Sequence, residues 1–110
     1  MIIRHACLTV LLYAVAVSAA HAADVPVEVT RRLQEIYAEK YPDNPLMRES
    51  LIRGQIQAYR DLEKWKSERG VPQDVFDKLR ETYKRKYPEN YTMQKALLES
   101  AVATFLEGRD

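Results

Sequence analysis

Two nearly identical stretches, KYPDN at residues 40–44 and KYPEN at residues 86–90, lie 46 positions apart in this chain. The similarity extends on both sides, because residues 25–51 align with residues 71–97 with 12 of the 27 positions identical. A repeat of fixed period is typical of a supersecondary unit that needs a neighbour to cover its apolar face. We therefore predict an internal duplication, with repeat 1 at 25–66 and repeat 2 at 71–108.

Each repeat has the apolar spacing of two helices. Apolar residues recur every three or four positions before each proline, which predicts one face of an α-helix. These residues are Val25, Val29, Leu33, Tyr37 and Tyr41 in repeat 1 and Val71, Val75, Leu79, Tyr83 and Tyr87 in repeat 2. A second stripe follows each proline and contains Met47, Leu51, Ala58 and Leu62, then Met93, Leu97, Ala101 and Phe105.

The repeated stretches themselves predict the corners between the helices. Pro42 and Pro88 end the first helix of each pair, since the residue before a proline is pushed out of the helical region. Asn44 and Asn90 are favourable caps for the helix that follows. Tyr41 and Tyr87 lie on the apolar face just before the turn. We expect these six residues to have structural roles.

The predicted fold is all-α, with two tandem helical hairpins forming a small four-helix domain. We expect Pro26 and Pro72 in the first turn of their helices, where the missing N–H costs nothing. The second helix is expected to continue to about Glu68, and Gly70 to end it. Gly54 within that helix suggests a close helix crossing. In an alternative arrangement the hairpins swap or pair between chains to give a dimer.

Residues 1–22 have the pattern of a cleavable secretory signal peptide. Arg4 precedes an apolar run from Ala6 to Ala20, which is followed by Ala20-His21-Ala22. This run is short for a membrane span, and the small residues two apart suit a signal peptidase. We predict cleavage after Ala22, leaving a single helical domain at 23–110 that is periplasmic or secreted, with no membrane span. An uncleaved membrane anchor is the alternative.

Cleavage at this site would narrow the chemistry of the mature chain. The chain's two histidines and one cysteine (His5, His21 and Cys7) all lie in the predicted signal peptide. Loss of Arg4 also takes the 17 basic residues to 16, which equals the 16 acidic ones. A balanced charge gives no net field to attract nucleic acid. We therefore predict no nucleic-acid partner, no cofactor, no metal site and no enzymatic activity.

The remaining candidate for catalysis is a pair of glutamates at the same repeat position, Glu35 and Glu81. Two carboxylates can hydrolyse glycosidic bonds without histidine or cysteine, and envelope glycan is a substrate that an exported enzyme would meet. Such chemistry needs one acid buried among apolar residues. Glu35 is four residues from Arg31 and Glu81 four from Arg85, so exposed helical ion pairs are the simpler interpretation.

Aromatic residues are the candidates for binding. Most tyrosines recur between the repeats at helical spacing and are expected to pack in the core. Tyr91 has no aromatic counterpart and Trp65 lies outside the aligned repeat, so we select these two as binding contacts. Met47 and Met93 are expected to fill the core.

These features favour a small exported module that binds a protein partner or itself. The alternatives are a carboxylate enzyme acting on glycan and a carrier of a small apolar ligand within the bundle.

Overall fold

The structure, a computed structural model, describes residues 25–108. It contains four helices, α1 (Val27–Lys40), α2 (Pro45–Lys64), α3 (Gln73–Lys86) and α4 (Tyr91–Glu107). Within this part of the chain no residue forms a β-strand. The all-α, four-helix prediction is therefore confirmed, whereas the predicted duplication remains an interpretation of the sequence. The predicted signal peptide lies outside the described residues.

The helices form two hairpins that meet through their second members. Helix α1 packs on α2, α3 packs on α4, and α2 packs on α4. Gln55 lies beside Tyr91, and further along the same two helices Asp61 lies beside Lys95. The inner helices α2 and α4 therefore run in the same direction.

The main core lies where the end of α2 meets the second hairpin. Phe76 is fully buried there, and the other members of this cluster are Leu62, Val71, Leu98 and Val102. In the first hairpin, Leu33 and Ala58 are buried, with 1% and 4% of their surfaces exposed. Two glutamines, Gln55 and Gln94, are also buried, so the interior includes polar groups that need hydrogen-bond partners.

Both corners have nearly the same backbone geometry. Tyr41 and Tyr87 end α1 and α3 with φ, ψ angles of −132°, 66° and −129°, 61°. The Asn44 side chain accepts a hydrogen bond from the backbone N–H of Met47, and Asn90 accepts one from Met93, so both predicted caps form. The corners differ at Glu89, whose φ of 66° is left-handed.

Side chains at equivalent positions also close the ends of α1 and α3. Arg48 Nη1 donates to the carbonyl oxygen of Tyr41 at 2.9 Å. Gln94, 46 positions later, donates from Nε2 to the carbonyl oxygen of Tyr87 at 2.7 Å. Both bonds satisfy a carbonyl that has no partner within its helix.

Four sequence-based expectations are corrected by the structure. Helix α2 ends at Lys64 and not near Glu68, because Trp65 turns into an extended conformation and packs edge-on against Phe76. Pro26 and Pro72 immediately precede their helices and are not in the first turn. Gly54 is exposed, with no atom within 4 Å of the Cβ position, so no helix crosses closely there. The methionines expected in the core, Met47 and Met93, are 43% and 40% exposed.

Candidate functional site

The contact between the hairpins is organised around the buried amide of Gln55. Its Nε2 donates to the Tyr37 hydroxyl at 3.0 Å and to the Asn90 side-chain oxygen at 3.1 Å. Its Oε1 accepts from the backbone N–H groups of Tyr91 and Thr92, at 2.6 and 3.1 Å. These N–H groups begin α4 and have no partner within that helix. We call this contact between the α1–α2 groove and the second corner the junction.

Sequence reasoning missed Gln55, although a signal was present. It lies in the predicted apolar stripe of α2, between Leu51 and Ala58. A polar residue on a buried face needs partners, but the sequence does not show that those partners lie at the other end of the chain.

Two tyrosine rings pack beside the amide. Tyr59 and Tyr91 meet edge to face with their centroids 5.1 Å apart. Burial raises the pKa of both hydroxyls, because the phenolate form loses hydration there. Both rings therefore remain neutral in the physiological range.

Three ion pairs connect the hairpins: Arg80 with Glu63, and two that flank the junction. Arg32 Nε lies 2.7 Å from a Glu89 carboxylate oxygen, and Lys95 Nζ lies 2.8 Å from an Asp61 oxygen. The hydrogen bond from Lys95 lowers the pKa of Asp61 and raises that of Lys95. The four side chains of the flanking pairs are partly exposed, so these pairs contribute more to register than to stability.

The two residues selected as binding contacts are both packed on the core. Trp65 and Tyr91 are half-buried, and both touch the main cluster. The Trp65 ring centroid lies 5.4 Å from that of Phe76, and the backbone of Tyr91 is held by Gln55. Their binding role remains a prediction, but both contribute to folding in this structure.

The predicted glutamate pair is not brought into one site. A cleft of about 570 Å³ is lined by residues from all four helices, and Glu81 lines it but Glu35 does not. Glu35 instead pairs with Arg31 and Arg32, so the ion-pair interpretation holds for this residue. Glu81 makes no ion pair with Arg85. Both glutamates are exposed, and neither has the apolar surroundings of a proton-donating acid.

The same cleft does not suit an apolar ligand. Its lining is mixed, with the two tyrosine rings at one side and charged groups elsewhere. The charged residues that line it are Glu63, Asp77, Arg80, Glu81 and Lys84. An apolar molecule would strip water from these charges without replacing it.

A second depression, of about 470 Å³, lies between α3 and α4 on the side away from α2, and its lining is mainly apolar. We call it the open groove. Its lining residues are Val75, Leu79, Tyr83, Leu97, Ser100, Ala101, Thr104 and Phe105. It contains no charged side chain, so it suits an apolar side chain or a helix edge from another protein.

Two large apolar residues are exposed at the start of α2. Leu46 is 79% exposed and Met47 is 43% exposed, and they follow Pro45 at the first corner. We call residues 43–47 the free corner. The open groove and the free corner lie on opposite hairpins, so one copy presents two separate apolar surfaces.

Residues 25–108 contain no cluster of three or more His, Cys, Asp or Glu side chains arranged to hold a metal ion. Over the same residues, no helix is both long and apolar enough to cross a membrane. Comparison with known protein families, curated proteins and solved structures finds no match to this chain.

Proposed function

We propose that this chain is an exported, non-enzymatic docking module that binds a protein through the open groove. The open groove carries the proposal, because it is mainly apolar, contains no charged side chain and is open to the surface, which suits an apolar contact from another protein. The free corner, which exposes Leu46 and Met47, supports the same conclusion. Export is supported by the signal pattern in residues 1–22.

The two alternatives have less support. A glycan-cleaving enzyme needs a protected acid and a second carboxylate nearby, but Glu35 and Glu81 are exposed and do not line the same cleft. An apolar ligand carrier needs an apolar cavity, and the 570 Å³ cleft has a mixed lining that includes five charged residues.

Crosslinking at one groove position tests the docking proposal in the producing cell. A photo-crosslinking amino acid placed at Thr104, an exposed groove residue, should capture a protein. The same amino acid at Glu39, which is exposed on α1, is the matched control and should not. Ala101→Glu should abolish the Thr104 crosslink by placing a charge in the groove. Equal crosslinking at both positions, or a crosslink unaffected by Ala101→Glu, would refute the proposal.

Export has a direct test of its own. The amino terminus of protein isolated from the envelope or medium should be Ala23. An intact Met1 on the isolated protein, or its recovery in the cytoplasm alone, would overturn export and leave groove binding to be judged by the crosslinks.

A further inference from the structure

The open groove has a counterpart inside the same molecule that is buried at three of its eight positions. Subtracting 46 from its residue numbers gives positions on the first hairpin that include Leu33, Gln55 and Ala58. These three are buried, with 1%, 5% and 4% of their surfaces exposed. Their counterparts in the open groove are less covered: Leu79 and Ala101 are half-buried and Thr104 is exposed.

The second corner is what covers the first groove. Asn90, Tyr91 and Thr92 all bond to the Gln55 amide, and the adjacent Glu89 pairs with Arg32 on α1. The junction is therefore a contact in which one repeat's corner occupies the other repeat's groove.

The first corner lacks this cover. On α4, the face that meets the first hairpin includes Leu98 and Val102, which are 1% and 2% exposed. The counterparts on α2 are Ile52 and Ile56, and both are only half-buried. Leu46, at the free corner, is 79% exposed. Each molecule thus has one unused groove and one unused corner. They are the counterparts, in the other repeat, of the groove and the corner that meet in its own junction.

We propose that the free corner of one copy docks in the open groove of a second copy and repeats the junction between molecules. The inference rests on the proposed function and identifies the docked protein as this chain itself. Repeat proteins grow by such nearest-neighbour contacts, in which each unit covers the face of the one before it. The contact joins two different surfaces, so it is heterologous and leaves a groove and a corner free for further copies.

The residue differences between the two junction halves are mutually consistent. Gln55 has Ala101 as its counterpart, so the open groove lacks the amide that bonds to the corner in the junction. The residues whose N–H groups bond to that amide also differ in the free corner. Tyr91 has the counterpart Pro45, which has no N–H, and Thr92 has the counterpart Leu46. The junction pairs a polar groove with a polar corner, whereas the proposed contact between copies pairs an apolar groove with a largely apolar corner. Pro45 removes one of the two N–H groups that Gln55 accepts in the junction, so the backbone N–H of Leu46 is the one helix-start donor that needs water or another acceptor in the contact.

In the contact between copies, one ion pair of the junction has an attractive counterpart and the other is replaced by a repulsion. Arg32 and Glu89 have the counterparts Lys78 and Asp43, which can form the same attraction across the contact. Lys95 and Asp61 have the counterparts Glu49 and Glu107, which are both acidic. The attraction and the repulsion largely offset each other, so we expect weak association that strengthens when the repulsion between Glu49 and Glu107 is removed by substitution.

Sedimentation velocity of the protein, isolated as its producing cell processes it, tests the contact. Between micromolar and millimolar concentrations the wild-type mass should rise beyond that of a dimer, because a heterologous contact does not close after two copies. Leu46→Glu and Ala101→Glu should each remain monomeric, since each places a charge in the apolar contact. Val27→Glu, at a residue that is 75% exposed and outside both surfaces, is the matched control and should associate like wild type.

Mixing the two blocked variants gives the decisive result. Leu46→Glu retains an intact groove and Ala101→Glu retains an intact corner, so the mixture should form a one-to-one dimer and nothing larger. Circular dichroism melting confirms that both variants are folded. A monomeric wild type, a symmetric dimer that does not grow, or a mixture that stays monomeric would each overturn the proposal.

Reversing one acidic charge in the contact should strengthen the association. Glu49→Lys would face Glu107 and restore the attraction that Lys95 and Asp61 make within the molecule. The dissociation constant should fall by about two- to fivefold, the effect of one exposed ion pair. An unchanged or weaker association would contradict the proposed register.

Failure of self-docking can be distinguished from failure of docking in general. If the Thr104 crosslink captures a different protein while the isolated chain stays monomeric, self-docking is refuted and the proposed function stands. If Thr104 captures nothing above the Glu39 control and the chain stays monomeric, both are refuted.

Discussion

Replacing Gln55 by alanine should separate the two hairpins more effectively than any other single polar change in the described part of the chain. Gln55 is 5% exposed and contacts both α1 and the start of α4. Its amide takes part in five hydrogen bonds, and the two accepted by Oε1 come from the backbone of Tyr91 and Thr92. Alanine leaves these groups without a protein partner.

The expected cost can be worked out from these contacts. An intramolecular hydrogen bond contributes about 1 kcal/mol net, and a buried donor left without a partner costs about 1–3 kcal/mol. The Thr92 side of the site is exposed, so water can replace part of what is lost. We expect a loss of about 3 kcal/mol in the free energy of unfolding, within the range known for buried networks. For a domain of this size that corresponds to a fall in melting temperature of between about 12 and 24 °C.

Thermal and urea unfolding followed by circular dichroism measures this loss. Gln57→Ala is the matched control, because Gln57 is exposed on the same helix and bonds only to Asp61 within that helix. That variant should remain within about 0.5 kcal/mol of wild type. A Gln55→Ala protein that melts within a few degrees of the control would show that the amide does not hold the hairpins together.

Two further predictions concern glycine and charge. Gly70→Ala should cost about 1–2 kcal/mol, because Gly70 has a φ of 92° and the left-handed conformation strains other residues. Its control, Gly54→Ala, should stabilise the protein by about 1 kcal/mol, since Gly54 is mid-helix with open space around it. Chemical unfolding of both variants measures the difference. Equal effects on the free energy of unfolding would refute the left-handed conformation assigned to Gly70. Lys95 lowers the pKa of Asp61, so this pair stabilises the fold above the ordinary carboxyl pKa and ceases to do so as pH falls through the lowered one. The stability difference between wild type and Asp61→Asn, measured by urea unfolding across that range, should therefore vanish in acid, and a difference that persists there would contradict it.

The parts of the fold that could be predicted from sequence are those with local causes. The corners follow from Pro42 and Pro88 ending a helix and Asn44 and Asn90 capping the next, all within a few residues. Hairpins follow because the connections are short. The end of α2 was misplaced because its cause is not local: Trp65 leaves the helix to pack on Phe76, which is 11 positions later.

The junction is the part that periodicity could not supply. The repeat places equivalent residues 46 apart, but Gln55 meets Tyr91, 36 positions away. The second hairpin is therefore displaced along the first by 10 positions, about 15 Å of helix. Such a register depends on which side chains fit together across the contact, and a single amide decides much of it here.

The displacement explains why the molecule has unequal ends. Two hairpins related by a displacement along a common direction cannot cover each other mutually, as hairpins related by a two-fold axis do. One groove is partly covered by the second corner and the other remains open, and Asn90 and Tyr91 at the second corner are half-buried while Leu46 is exposed. The Gln55 amide restricts the groove of the first hairpin to a partner that supplies matching N–H groups. The open groove is apolar and imposes no such requirement. The chain therefore has a specific contact within the molecule, and the contact that we propose at the open groove is permissive, as expected if the first must form in every copy and the second must form reversibly.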